Sequence, residues 1–163
     1  MALLRKITKA KWYDQPWLPQ GQIQADALVD LRTQNNELSV WRIEPDESNL
    51  NAIVAALASS KTSRIDKLDY VLLDDAALER LDITYVKSQG DSPHTDANVR
   101  WHCDLVGLTV AKVVELAREV KRCEPAHKRL PHTAVRAILK SALDGGMLER
   151  KVVEEALVSE LEG

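Results

Sequence analysis

Apolar residues change their spacing once along this chain, across the segment Ser88 to Asn98, and that single change limits the folds open to it. Before the segment, apolar residues come in short runs separated by polar and turn-forming residues, the pattern of strands mixed with short helices. Beyond it, Val106, Val110, Val113, Ala117 and Val120 are spaced by four and three, which puts them on one face of a helix. Ser88 to Asn98 is rich in Gly, Ser, Pro and Asp and reads as a loop. The expected class is α+β: a small sheet with flanking helices in the N-terminal two-thirds and a three-helix C-terminal part. The parts divide at the loop into residues 1–98, a mixed core with a basic N-terminal arm, and 99–163, packed together as one compact domain.

Individual elements follow from local chemistry. Gln15-Pro-Trp-Leu-Pro-Gln-Gly21 has two prolines and a glycine and reads as an irregular crossing segment. Ala25–Leu31 and Leu38–Ile43 flank Asn35-Asn36, residues that tolerate positive φ, so a hairpin is expected. Ala25–Leu31 is equally compatible with a helical turn. Ser48 is placed to cap a helix running to Ala58, with Leu50, Ile53, Val54 and Leu57 on one stripe. Leu68–Leu73 and Ile83–Lys87 read as strands, with Asp74 or Asp75 capping a short helix, Ala76–Leu81, between them. The C-terminal helices are expected over 108–122, 132–143 and 149–161, the second ending at Gly145-Gly146. A fold of the last two onto each other would set Arg136 and Lys140 against Glu154, Glu155 and Glu160.

Charge is segmented. The net charge of −3 combines four basic and no acidic residues in 1–13, 10 basic and 18 acidic in 14–119, and 8 basic and 3 acidic in 120–151. Four glutamates and no basic residue close the chain. No apolar run approaches the roughly 18–20 residues of a membrane span. The N-terminal charges Arg5, Lys6, Lys9 and Lys11 fall where a signal peptide needs its apolar stretch. With two cysteines and no export signal, the expectation is a cytoplasmic protein with reduced thiols and no membrane partner.

All four histidines and both cysteines lie between His94 and His132. Cys123, His127 and His132, joined by Cys103 or His102, would supply four ligands for zinc, but the cysteines are not the close pair that structural sites use. Trp101-His102-Cys103-Asp104 sets a thiol beside an imidazole and a carboxylate, although triad members normally converge from separate elements. The plainer reading of that stretch is the start of a helix, with Asp104 capping and Trp101 packing. Asp66, Asp69, Asp74 and Asp75 surround one strand and suit Mg²⁺ binding, acid–base work, or simple capping. No phosphate loop or nucleophile elbow is present. The expectation is no cofactor, no metal and no catalytic residue.

His132-Thr-Ala-Val-Arg-Ala-Ile-Leu-Lys-Ser-Ala-Leu-Asp-Gly-Gly-Met-Leu148 resembles the second half of a winged helix-turn-helix. That resemblance implies DNA contacts from Thr133, Arg136 and Lys140, with phosphate contacts from Lys121, Arg122, Lys128 and Arg129. Trp12, Tyr13 and Trp17 combine aromatic rings with a basic, proline-punctuated arm, the composition of interface anchors. The expected function is therefore non-catalytic: an accessory, regulatory or neutralising subunit that binds a protein partner through Trp12, Tyr13, Trp17, Arg129 and Arg136. A DNA-binding regulator is the alternative, and a metal- or thiol-dependent hydrolase using the His94–His132 window is the third reading.

Overall fold

The computed structural model describes residues 2–60 and 62–163. Among the described residues, six strands form one sheet: β1 (Ala2–Ile7), β2 (Leu38–Ile43), β3 (Leu68–Asp74), β4 (Thr84–Lys87), β5 (His102–Val106) and β6 (Lys128–Leu130). Their order across the sheet is β4-β5-β2-β1-β3-β6, and every neighbouring pair is antiparallel. Six α-helices among the described residues accompany them: α1 (Leu50–Ser59), α2 (Asp75–Arg80), α3 (Thr95–Arg100), α4 (Val110–Arg122), α5 (His132–Asp144) and α6 (Glu155–Glu162). This is the α+β class that the spacing predicts.

Strand alternation assigns each residue to a face. Leu4, Trp41 and His102 are cross-strand partners in succession and share one face. There α1, α3, α5 and α6 pack, burying Ile53, Val54, Ala97, Val135, Leu139 and Leu157. The other face carries Leu3, Ile7, Val40, Val71, Cys103 and Leu105 beneath α2, α4 and a 3-10 segment, Ala25–Leu31. Two apolar clusters therefore sandwich the sheet, and Leu116, Ala117 and Val120 are the inward stripe of α4.

Several expectations need correction. The basic N-terminal arm is β1, one of the two middle strands. Its charges are compatible with that place because the partly buried Arg5 is satisfied by backbone carbonyls and Lys6 is exposed. Arg5 donates to the Asp30 carbonyl at 2.8 and 2.6 Å and to the Ser39 carbonyl at 2.8 Å, while Lys6 reaches outward. Residues 102–106 form a strand, not the start of a helix: polar His102 and Asp104 alternate with apolar Cys103 and Leu105. The last helix begins at Glu155, because Val153 is anchored in the core and Glu154 is extended. Residues 101–163 thus contribute two strands as well as three helices. Of the two readings of Ala25–Leu31, the helical one is found, although as a 3-10 segment. Asn49, not Ser48, precedes α1 and ties its start to β2, accepting from Glu44 N–H and donating to the Arg42 carbonyl.

Other local readings match. Asn35 and Asn36 have φ of 54° and 61° in the tight turn before β2, closed by the Gln34–Glu37 bridge. Asp74 caps α2 by accepting from Ala77 N–H at 2.6 Å. Gly146 has φ of 67° just past α5, where its N–H donates to the Leu143 carbonyl.

β6 is held to the sheet edge by charge. Asp69, buried on β3, accepts from Arg129 Nε and Nη2 at 2.6 and 2.9 Å and from Lys9 N–H at 2.9 Å. Burial alone would push this carboxyl up, but the hydrogen bonds from Arg129 and Lys9, with the Arg129 charge, leave it below the usual range. A carboxyl whose pKa is depressed by folding contributes stability above its unfolded pKa and loses it as pH falls through the folded value. Thermal melts between neutral and acid pH are therefore expected to fall more steeply for the natural protein than for Asp69→Asn. Parallel curves would contradict this role.

Candidate functional site

The His94–His132 window does not assemble. His94, His102 and Cys103 are all buried, but Cys103 lies on the sheet face opposite His102. His94 caps α3, its Nδ1 accepting from Ala97 N–H at 3.3 Å. His127 Nε2 meets the Val120 carbonyl at 2.9 Å, and His132 lies 3.7 Å from Glu160 on α6. Burial pushes both thiols up, the opposite of what a nucleophilic cysteine requires, and Glu119 adds to the effect at Cys123. Among the described residues, no group of three or more His, Cys, Asp or Glu side chains is arranged to hold a metal ion.

Residues expected to contact a partner divide into three groups. Trp12 is a core residue, 1% exposed, with its indole N–H donating to Asp30 at 2.9 Å and its ring edge-on to His127. It follows a 3-10 turn, Lys9–Lys11, that turns the chain down onto the sheet, so a large aromatic here completes the cluster instead of leaving it. Arg129 is committed to Asp69, and Arg136 is half-buried on α5. Tyr13 and Trp17 remain at the surface, Tyr13 beneath the Lys9 ammonium and Trp17 68% exposed.

The wing that would follow α5 in a winged helix is absent among the described residues: after Gly146 the chain makes a turn at Glu149–Val153 and enters α6. Lys140 is 3.8 Å from Asp144 and donates to the Leu161 carbonyl at 3.5 Å. No helix among the described residues is long and apolar enough to cross a membrane.

Near Trp17 lies a surface the sequence reading missed. A groove of about 320 Å³ runs between the irregular segment and α4, lined by Gly21, Gln22, Ile23, Leu28, Val114, Ala117 and Arg118. Val29 follows Leu28 and is 62% exposed, and Val110, one helical turn before Val114, is 83% exposed at the start of α4. Three residues separate Trp17 from Gly21, so four steps of chain, about 14 Å at most, connect it to the groove wall. The signal was available. Helix α4 carries more valines than its inward face uses, and Val110 and Val114 fall on its outer side.

Beyond Arg118 the same helix turns basic. Arg80, Arg118 and Arg122 line an adjoining hollow with Glu115 and Glu119. Glu119 is almost fully buried and accepts from Arg122 Nε at 2.9 Å and Arg80 Nη2 at 3.2 Å. Hydrogen bonding from Arg122 outweighs burial and holds the Glu119 carboxyl below its usual range. Three guanidinium groups face two carboxylates, and all three are well exposed. The outer surface of α4 is thus an apolar groove bordered by a cluster of exposed guanidinium groups paired with Glu115 and Glu119, with the Asp74 charge also acting on Arg122. In comparisons with known proteins, the chain matches no family model, no curated protein and no solved structure.

Proposed function

We propose that this protein acts by binding another protein, through the groove between the Gly21–Leu28 segment and α4, with Trp17 as an aromatic anchor. The observation carrying this reading is the groove whose apolar lining is Ile23, Leu28, Val114 and Ala117, with Val29, Val110 and a mostly exposed Trp17 on the elements that form it or lead into it. Isolated exposed apolar residues need no explanation, whereas a grouped patch beside a concavity marks an interaction surface. Its neighbour sets the partner's chemistry. The guanidinium groups of Arg80, Arg118 and Arg122 favour an acidic segment that seats one apolar side chain in the groove and lays carboxylates along the helix. Catalysis has less support, because no activated nucleophile accompanies this surface.

The test starts with capture from the native host and is decided by the reconstituted pair. Val114→Asp and Trp17→Ala alter exposed side chains, so folded protein is expected from both. Each should weaken the purified complex by about tenfold or more, the loss of roughly 1.4 kcal/mol or greater typical of an anchor. Arg118→Glu should act in the same direction, and more strongly at low salt. Unchanged affinity in Val114→Asp and Trp17→Ala would overturn the reading. So would sub-micromolar, salt-sensitive duplex DNA binding that Arg136→Ala weakens.

A further inference from the structure

His127 is a buried titratable group that the partner-binding surface does not use, and it sits where three parts of the chain converge. Its ring lies edge-on to Trp12 with centroids 6.4 Å apart, and its Nε2 is 2.9 Å from the Val120 carbonyl in the last turn of α4. Its own carbonyl accepts from Lys9 Nζ at 3.1 Å. The residue leads from a 3-10 turn, Glu124–Ala126, into β6.

These contacts fix its protonation state. A carbonyl can only accept, so Nε2 carries the hydrogen and Nδ1 is the bare nitrogen of a neutral ring. Nδ1 is buried and has no hydrogen-bond partner among the described residues, so a second proton would arrive there without an acceptor. The charged groups that act on the ring are Lys9 from the Lys9–Lys11 turn, Lys121 from α4 and Glu124 from the turn before β6. Lys121 is itself paired with Asp14 and Glu124. Farther out, Asp30 serves Thr8, Lys11 and Trp12, while Asp69 and Arg129 are paired with each other. Burial is the largest influence and disfavours an imidazolium, as do the two ammonium groups, whereas the Val120 carbonyl and Glu124 favour it. Burial prevails and holds the imidazole below the usual histidine range.

Both walls of the α4 groove are anchored beside this ring. Val114 and Ala117 line one wall, and the same helix ends at the turn whose Val120 carbonyl His127 takes. Gln22 and Ile23 line the other, and Gln24 ties that segment to the turn before Trp12, its Nε2 donating to the Lys11 carbonyl at 2.8 Å. Lys121 closes the junction by donating to the Trp12 carbonyl at 2.6 Å.

We infer that His127 is an acid-sensitive latch: proton uptake at Nδ1 parts Trp12 from the end of α4, shifts the two groove walls and lowers affinity for the partner. The effect on affinity rests on the groove reading, whereas the opening of the junction does not. A group whose folded pKa is depressed contributes stability above its unfolded value, about 6.5 for histidine. That contribution is lost as pH falls from there through the folded value, well before the carboxylate range in which Asp69 titrates.

NMR titration of the free protein downward from neutral pH tests the latch, beside His127→Gln, whose neutral amide keeps a donor for the Val120 carbonyl. The His127 imidazole should titrate with a midpoint below about 6.5. Amides of Ile23, Val114 and Val120 should follow that midpoint in the natural protein and lose the transition in His127→Gln. His94 and His102, the other buried histidines, titrate in both proteins, which separates their effects. In the reconstituted complex, affinity should be about twofold weaker at the His127 midpoint and about tenfold weaker one pH unit below it, with the step absent in His127→Gln. Circular dichroism checks that His127→Gln is folded; if it is not, the joint titration within the natural protein decides. A midpoint at or above about 6.5 would overturn the latch, as would groove amides that do not follow it. So would unfolding of the whole protein before His127 is protonated, or an equal acid loss of affinity in both proteins. If Val114→Asp leaves affinity unchanged, the groove reading falls, and the titration of the free protein still decides whether the junction opens.

Discussion

Trp12→Ala is expected to destabilise the protein by about 3–5 kcal/mol, the cost of emptying a tryptophan-sized volume in a packed core. Trp12 is 1% exposed and closes the cluster that also holds Leu31, Val71 and Val120. Its indole N–H is one of several donors on Asp30, which also accepts from Thr8 N–H at 2.7 Å. Lys121 Nζ donates to the Trp12 carbonyl at 2.6 Å and reaches Asp14 at 2.9 Å, so the same turn binds α4 to the chain after β1. Trp12→Phe should cost less, since it keeps most of the ring and loses chiefly the bond to Asp30, worth about 1 kcal/mol. Urea denaturation of the three proteins checks the order. A Trp12→Ala variant as stable as the natural protein, impaired only in partner binding, would return Trp12 to the interface.

Leu139→Asp should have a still larger effect. Leu139 is fully buried on α5, in the cluster with Ile53 of α1 and Leu157 of α6. A carboxylate placed there lacks both water and a counter-charge, and about 4 kcal/mol or more is expected. That is close to the whole stability of an ordinary domain, roughly 5–15 kcal/mol. The expected result is insoluble or largely unfolded protein, seen in lost circular dichroism and a missing thermal transition. A soluble, natively folded Leu139→Asp variant that had merely lost self-association would show that this face serves assembly and is not core.

Why some elements were legible and others not comes down to which interactions decide them. The Asn35-Asn36 turn, the Asp74 cap and the Gly146 stop are set by neighbouring residues, and the sequence displays such chemistry directly. β1 hides its nature because Arg5 and Lys6 interrupt a six-residue strand. Only the tertiary structure supplies the Asp30 and Ser39 carbonyls that accommodate Arg5. β5 was readable in principle from the alternation at His102 to Leu105, but the helix pattern beginning a few residues later obscured it. The residues of the His/Cys window are dispersed for a related reason. The window spans α3, β5, α4, β6 and the start of α5, so adjacent positions such as His102 and Cys103 lie on opposite faces of the sheet. Trp12 and Trp17 show the same limit on a small scale. Five residues apart in one aromatic, basic segment, Trp12 is buried at the end of the Lys9–Lys11 turn and Trp17 is exposed in the irregular segment beyond it.

Hydrogen–deuterium exchange on the reconstituted partner complex tests the proposed mode of action most directly. Binding through the groove predicts slowed exchange over residues 21–29 and 110–118, with α5 and the His102 strand unchanged. Protection confined to α5, or to the loop around Gly90 and Ser92, with none at 21–29 and 110–118, would contradict it.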